Sequence, residues 1–310
     1  MEATSHRIRS NGKLLLSGEY MVLYGARALA LPLTKGQTME VEYSPGLAPA
    51  IEWTAADPDG VWFRATLVRN AGWSVFRTTD KAIAGRLVRL IGAARFLNPN
   101  FLSAEGAWTV HNRLEFGHNW GWGSSSTLIA NMAKWAGVDA LTLNGMVSEG
   151  SGYDIACARA ESPIYYQIRS GRPVVQEIVF RPGFYEHIGF AYLGKKQDTA
   201  HEISRFDPEK VNIPELSEAI SQISEQLAFV PTVRQFNSLI DHHEELIGNA
   251  LNRSPVKKLL FPGFPGSIKS LGAWGGDFVL FCSEAPYKDS ARFFRDRGFP
   301  VAFPWKEIIR

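Results

Sequence analysis

Gly121-Trp122-Gly123-Ser124-Ser125-Ser126 stands between a stretch with strand character, Trp108 to His111, and an amphipathic helix predicted over Ser124 to Ala136. Two glycines allow positive φ and let the backbone come close to a bound group. A helix starting at the serines offers unpaired N–H groups and the positive end of its dipole, which together favour an anion. Three serines add hydroxyl donors, two more than a turn with a single capping serine would need. The helix itself is well marked. Leu128, Ile129, Met132, Ala133 and Ala136 follow a period of about 3.6 residues, and Gly137 stops it. Read alone, the hexapeptide is either a phosphate cradle or a capped turn.

Outward from this loop, strands and helices alternate in both halves. Lys13 to Leu16 reads as a strand, Ser17-Gly18-Glu19-Tyr20 as an interruption, and Met21 to Tyr24 as its resumption in a hairpin. Ala28 to Leu33, Thr38 to Tyr43, Ile51 to Thr54 and Val61 to Val68 have strand patterns. A helix is expected from about Thr79 to Leu97, capped by Thr79 or Asp80 and ended by Asn98-Pro99. Further strands are expected over Ile164 to Ile168, Val174 to Phe180, His187 to Leu193 and Phe278 to Cys282. Helices are expected from near Tyr153, around Leu216, Ile220, Ile223 and Leu227, over Thr232 to Leu251, and over Lys288 to Arg297. This mixture argues an α+β protein, divided at Pro182-Gly183 into domains 1–182 and 183–310.

Composition narrows the function. The 310 residues include 45% hydrophobic and 21% charged side chains, enough for a sizeable core. A formal charge of +2, from 33 basic and 31 acidic side chains, argues against a nucleic-acid partner. Arg86, Arg89 and Arg95 are spaced like a solvated helix face. No apolar run approaches the ~20 residues of a membrane span. Met1 to Lys13 lacks the apolar centre of a secretion signal, and two distant cysteines, Cys157 and Cys282, form no disulfide framework. A soluble protein of the reducing cytoplasm, monomer or homodimer, is expected.

Two further elements carry chemistry. Gly150-Ser151-Gly152-Tyr153-Asp154 places an acid in the first turn of a helix, where it either stabilises the dipole or serves an attacking hydroxyl. Lys269-Ser270-Leu271-Gly272-Ala273-Trp274-Gly275-Gly276-Asp277 is a glycine-rich turn leading into a strand. No Gly-x-x-x-x-Gly-Lys-Ser/Thr occurs, which disfavours a P-loop ATPase. A Gly-x-Gly-x-x-Gly behind a strand is missing too, which removes the dinucleotide signature. His242-His243-Glu244-Glu245 lacks metal-ligand spacing and is read as a solvated helix face. His111 and His118 are read as ordinary polar packing, and Cys157 as a small buried side chain.

Taken in order, Asn11 to Gly25, Gly121 to Ser126 and Lys269 to Asp277 resemble three motifs of the GHMP kinase superfamily. That superfamily is named for galactokinase, homoserine kinase, mevalonate kinase and phosphomevalonate kinase. The central loop is similar to its Gly-Leu-Gly-Ser-Ser-Ala nucleotide loop. Gly18-Glu19-Tyr20, Gly150 to Ala156 and Gly275-Gly276-Asp277 look most like the phosphomevalonate kinase branch. The resemblance implies an N-terminal domain like the second domain of ribosomal protein S5 and a ferredoxin-like C-terminal domain. It implies ATP and Mg²⁺ as cofactors and phosphoryl transfer to mevalonate, phosphomevalonate or another small, anionic acceptor. A sugar or homoserine acceptor, an ATP-dependent decarboxylation, and nucleotide binding without catalysis are the alternatives.

The same resemblance implies roles. Asp154 would engage the acceptor hydroxyl, with Lys13 holding it ionised and lowering its pKa. Gly121, Gly123, Ser124, Ser126 and Thr127 would hold the phosphates, Ser125 the metal, and Gly272, Gly275 and Gly276 would close the site. Glu19, Tyr20, Ser151, Gly152, Lys196 and Thr199 would face the acceptor, although Lys195 to Thr199 reads equally well as a surface turn. Three departures stand out. Trp122 replaces a leucine, Trp274 replaces a glycine, and Leu141-Thr142-Leu143-Asn144-Gly145 lacks the acidic Mg²⁺ ligand of mevalonate kinase. Glu149 is nearer to Asp154 but misplaced for that role.

Overall fold

A computed structural model describes residues 4–194, 206–272, 274 and 277–310. They form two compact units, each assembled from separated stretches of chain: 1–12 with 35–159, and 13–34 with 160–310. Two long strands, β1 (Thr4–Ser17) and β2 (Ala28–Pro45), begin in one unit and end in the other.

In the first unit, β2 pairs antiparallel with β6 (Gly106–Leu114), and β6 pairs parallel with β3 (Ala50–Asp57). β4 (Gly60–Arg69) and β5 (Trp73–Thr78) extend the sheet antiparallel from β3. Alternation decides which side is covered: Ile51, Trp53 and Ala55 of β3 are buried, as are Phe63, Ala65 and Leu67 of β4. They pack with Leu87, Leu90, Ile91 and Ala94 of helix α1 (Lys81–Leu97). Met132, Ala133 and Ala136 of α2 (Ser124–Ala136) and Leu143 of α3 (Ala140–Val147) join the same core. Asp80 caps α1 by accepting from the Ile83 N–H at 2.9 Å. Asn98, just past the end of α1, donates from Nδ2 to the Ala136 carbonyl at 2.7 Å and so satisfies the last turn of α2. α4 (Tyr153–Arg159) packs against α2.

In the second unit, β7 (Ile164–Arg169) pairs with β8 (Arg172–Glu177) and with the start of β2 at Ala28 to Ala30. A separate antiparallel sheet has the order β10-β11-β9-β12, formed by Gly266–Leu271, Phe278–Ser283, Ile188–Tyr192 and Ala302–Pro304. Helices α5 (Ile213–Leu227) and α6 (Val233–Leu251) pack together, and α6 lies on β10. The short α7 (Val256–Leu260) also covers β10, while α8 (Tyr287–Arg295) and α9 (Trp305–Ile308) lie on β9. Phe261, Phe264, Phe281 and Phe294 form the centre beneath α7 and α8.

Several expectations change. Met21–Tyr24 is a 3-10 turn rather than a returning strand, because Tyr20 takes φ 61° and turns the chain out of extension. Ala28 to Leu33 and Thr38 to Tyr43 belong to one uninterrupted strand. Lys269 to Leu271 lies inside strand β10 rather than in a turn. α3 and β5 were not anticipated. Leu67 has no exposed surface in the first unit's core. Leu67→Ala is expected to lower stability by about 2–5 kcal/mol, read as a shifted denaturant midpoint with little change in slope.

Candidate functional site

The expected site residues divide between the units. Gly121 to Thr127, Ser151, Gly152 and Asp154 belong to the first; Lys13, Glu19, Tyr20 and Gly272 belong to the second. Gly275, Gly276, Lys195, Lys196 and Thr199 lie outside the described residues.

In the first unit, Gly121 and Gly123 take φ 71° and 94°, and Gly123 is the residue from which α2 starts. No side chain caps this helix end. The hydroxyls next to it are unequal. Ser124 Oγ donates to the His118 carbonyl at 3.1 Å, and Ser126 Oγ to the Gly123 carbonyl at 2.9 Å. Thr127 Oγ1 is buried and donates to Gln37 Oε1 at 2.8 Å. Ser125 is the exposed one. Ser126 and Thr127 therefore serve the loop's own shape, and Ser125 presents its hydroxyl outward at the positive end of α2. Asp154 is half-buried in the first turn of α4, the helix packed against α2; Ser151 and Gly152 lead into that turn. Asn144 is buried within α3, and Glu149 is exposed between α3 and α4.

His118 sits at this loop with more order than ordinary packing requires. Its Nδ1–H donates to Asp57 Oδ2 at 2.6 Å, and its ring stacks on Trp62 with centroids 4.8 Å apart. Burial pushes the Asp57 carboxyl up, but hydrogen bonds from the His118 ring and backbone and from the Asp59 N–H outweigh it and hold the group below its ordinary range. His118 is thus pinned by its ring while its carbonyl holds Ser124. His111 is exposed on β6.

In the second unit, Gly18 takes φ 102°, and a Cβ there would lie 2.5 Å from the Ala28 Cβ, so only glycine fits. The Glu19 side chain, which the resemblance turns towards an acceptor, is 2% exposed and bonded to Lys269 Nζ at 2.6 Å. Lys269 has no exposed surface and also donates to the Ser270 carbonyl at 2.9 Å. The supposed solvated run His242-His243-Glu244-Glu245 is corrected here: His243 and Glu244 are buried, at 0% and 2% exposure. His243 Nε2 accepts from the Gly18 N–H at 3.3 Å, and Glu244 Oε1 is 3.5 Å from Lys269 Nζ. A readable signal was present. Phe236, Ile240, His243 and Ile247 are spaced by four, three and four along α6, so the histidine occupies the helix's core stripe.

Solved structures share the fold across nearly the whole chain. L. major mevalonate kinase in complex with R-mevalonate superposes with a TM-score of 0.68 at 14% identity, covering 97% of this chain and 95% of that one. Streptococcus pneumoniae phosphomevalonate kinase, in complex with phosphomevalonate and AMPPNP, gives 0.69 at 14% identity, with 96% and 99% covered. Lactococcus lactis galactokinase complexed with galactose gives 0.64 at 10% identity, with 97% and 92% covered. The chain has the GHMP kinase fold. No family sequence model matches the chain, and no curated protein matches it in sequence.

Within the GHMP kinase fold, both unusual tryptophans are accounted for by packing. Trp122 has no exposed surface and meets Phe116 and Trp120 edge-on, with centroids 5.7 and 5.0 Å away. Its indole turns inward and leaves the outer rim of the loop to glycine and serine. Trp274 is 3% exposed. A Cβ on Gly248 of α6 would stand 2.9 Å from the Trp274 ring, so that glycine makes room for it. The Trp274 backbone N–H donates to the Tyr20 hydroxyl at 3.4 Å, and Tyr20 stacks on Phe206 with centroids 5.9 Å apart. Trp122→Ala is expected to lower stability by about 3–5 kcal/mol, measured by chemical denaturation.

Proposed function

We propose that this chain is an ATP-dependent small-molecule kinase, with mevalonate or phosphomevalonate as acceptor and the motifs favouring phosphomevalonate. The observation that carries the reading is the start of α2. Left-handed glycines deliver the chain to an uncapped helix N-terminus, with Ser125 exposed beside it. Such an end attracts phosphate through its N–H groups and dipole. The shared fold with kinases, one of them holding AMPPNP and phosphomevalonate, supports the same reading.

In this reading the backbone of Gly121 and Gly123 and the first N–H groups of α2 orient the triphosphate. Ser124 keeps its hydroxyl on His118, so the loop's shape is set before nucleotide arrives. The exposed Ser125 hydroxyl suits a hard cation such as Mg²⁺, which would be held jointly with phosphate oxygens and would neutralise charge on the transferred group. Asp154, in the first turn of the helix packed on α2, receives the proton of the acceptor hydroxyl. Phosphoryl transfer asks little covalent chemistry of a protein, so positioning and charge neutralisation carry the rate.

An ADP-release assay with phosphomevalonate, mevalonate, sugars and homoserine tests the proposal, and turnover is expected with a mevalonate-type acceptor. Calorimetric ATP binding without turnover on any acceptor would replace it with nucleotide binding alone. Asp154→Asn is expected to lower kcat by about 10²–10⁴-fold while leaving ATP affinity nearly unchanged. Full activity in that variant would remove Asp154 from the mechanism.

A further inference from the structure

The buried charges of the second unit do not balance. Lys269 supplies one positive charge, while Glu19 and Glu244 supply two carboxyls, all three side chains being 2% exposed or less. His243 does not make up the difference. Its Nε2 lies 3.3 Å from both the Gly18 N–H and Glu19 Oε2, and Nδ1 has no partner among the described residues, so the ring is not held as a cation. Burial, with the Lys269 charge beside it, also holds that ring well below its ordinary pKa. An uncompensated carboxylate in such surroundings is costly, and the cheapest remedy is one proton.

Geometry selects the carboxyl that holds it. Burial pushes the Glu19 carboxyl up as well, but its Oε1 has the short bond to Lys269 at 2.6 Å, which favours the ionised form there. Glu244 has no bond as short: Lys269 stands 3.5 Å from its Oε1, and among the described residues the only other donor directed at it is the Ser270 backbone N–H. Glu244 also reaches the floor of a surface groove lined by Asp241, Glu245, Lys257 and Lys258, through which a proton can exchange with water. Glu245 faces Lys258 across that groove at 3.8 Å. The groups facing Glu244 are thus Lys269 from β10, Glu19 from just beyond β1, His243, Asp241 and Glu245 on its own helix, and two lysines of α7.

We propose that Glu244 is a positioning residue that holds one proton against Lys269, and that this proton keeps Lys269 committed to Glu19 and the turn Gly18-Glu19-Tyr20. Burial, opposed by Lys269 and reinforced by the Glu19 charge, pushes the Glu244 carboxyl up to about 7. Loss of the proton places a second anion beside Lys269 and draws its ammonium away from Glu19. The turn so released includes Tyr20, whose φ of 61° a non-glycine residue rarely adopts and which needs its neighbours to hold it. The effect on turnover rests on the kinase reading; the protonation does not.

The sign follows from linkage. The folded chain binds this proton more tightly than the unfolded one, whose carboxyl has its ordinary value of 4.5, so the contribution is complete in acid and disappears as pH rises through about 7. In the full chain labelled with ¹³C-glutamate, one carboxyl carbon is expected to titrate near neutrality and to be missing from Glu244→Gln. The wild-type denaturant midpoint is expected to fall between about pH 5 and about pH 8, with a shallower fall in the variant. The acceptor KM is expected to rise several-fold above neutrality in the wild type, and to stay level in Glu244→Gln. Glutamates that all titrate in the ordinary range, or midpoints of equal slope, overturn the proton. An unchanged KM profile in the variant overturns the positioning. If the variant does not fold, the wild-type titration decides alone. Absence of turnover with every acceptor strikes the kinase reading, and the carbon titration still decides the proton.

Discussion

A lysine ammonium with no exposed surface must have its charge answered by its neighbours, and in the second unit that requirement organises everything around it. Lys269 is central in β10, and its partners come from far along the chain: Glu19 from just beyond β1, itself met by His243 of α6, and Glu244 from α6. Removing Lys269 or Glu19 alone would leave the other's charge stranded in the core. The ion pair draws the Gly18-Glu19-Tyr20 turn onto the strand that leads to Gly272. Two of the segments with family resemblance are thereby joined inside one unit by a single buried cation.

In the first unit the equivalent constraint is polar rather than ionic. The glycine–serine loop spends most of its hydroxyls on itself: Ser124 on His118, Ser126 on Gly123, Thr127 on Gln37. Asp57 fixes His118 from the far side. A loop so satisfied can present a row of N–H groups without collapsing onto them, which is the condition for receiving an anion rather than a neighbouring side chain. The indole of Trp122 contributes by filling the space beneath.

Much of this was legible in the residues. α2 runs from Ser124 to Ala136 as its apolar period and Gly137 indicate, and Asp80 caps α1 as its position suggests. Local signals failed where distant contacts decide. Met21 to Tyr24 is as apolar as a strand, but its path is set by the positive φ of Tyr20. The run His242 to Glu245 looks polar throughout, and only the spacing of Phe236, Ile240 and Ile247 shows that half of it faces the core. Lys269 carried no local sign of burial, because its partners lie about 25 and 250 positions away in sequence. The eight residues of α3 were too few to establish a period against their surroundings.

The way β1 and β2 divide themselves has a consequence for how the chain is made. Residues 13–34 belong with a partner stretch that begins at 160 and runs to 310. On a ribosome this segment, with its apolar Leu14 to Leu16 and Leu29 to Leu33, emerges early and must wait for most of the polypeptide before it can be buried. The first unit can close once residue 159 has appeared, and it then carries an unfinished loop of the second. Synthesis order and burial order are therefore out of step in this protein, and in the interval the apolar residues of 13–34 have no partner stretch to cover them.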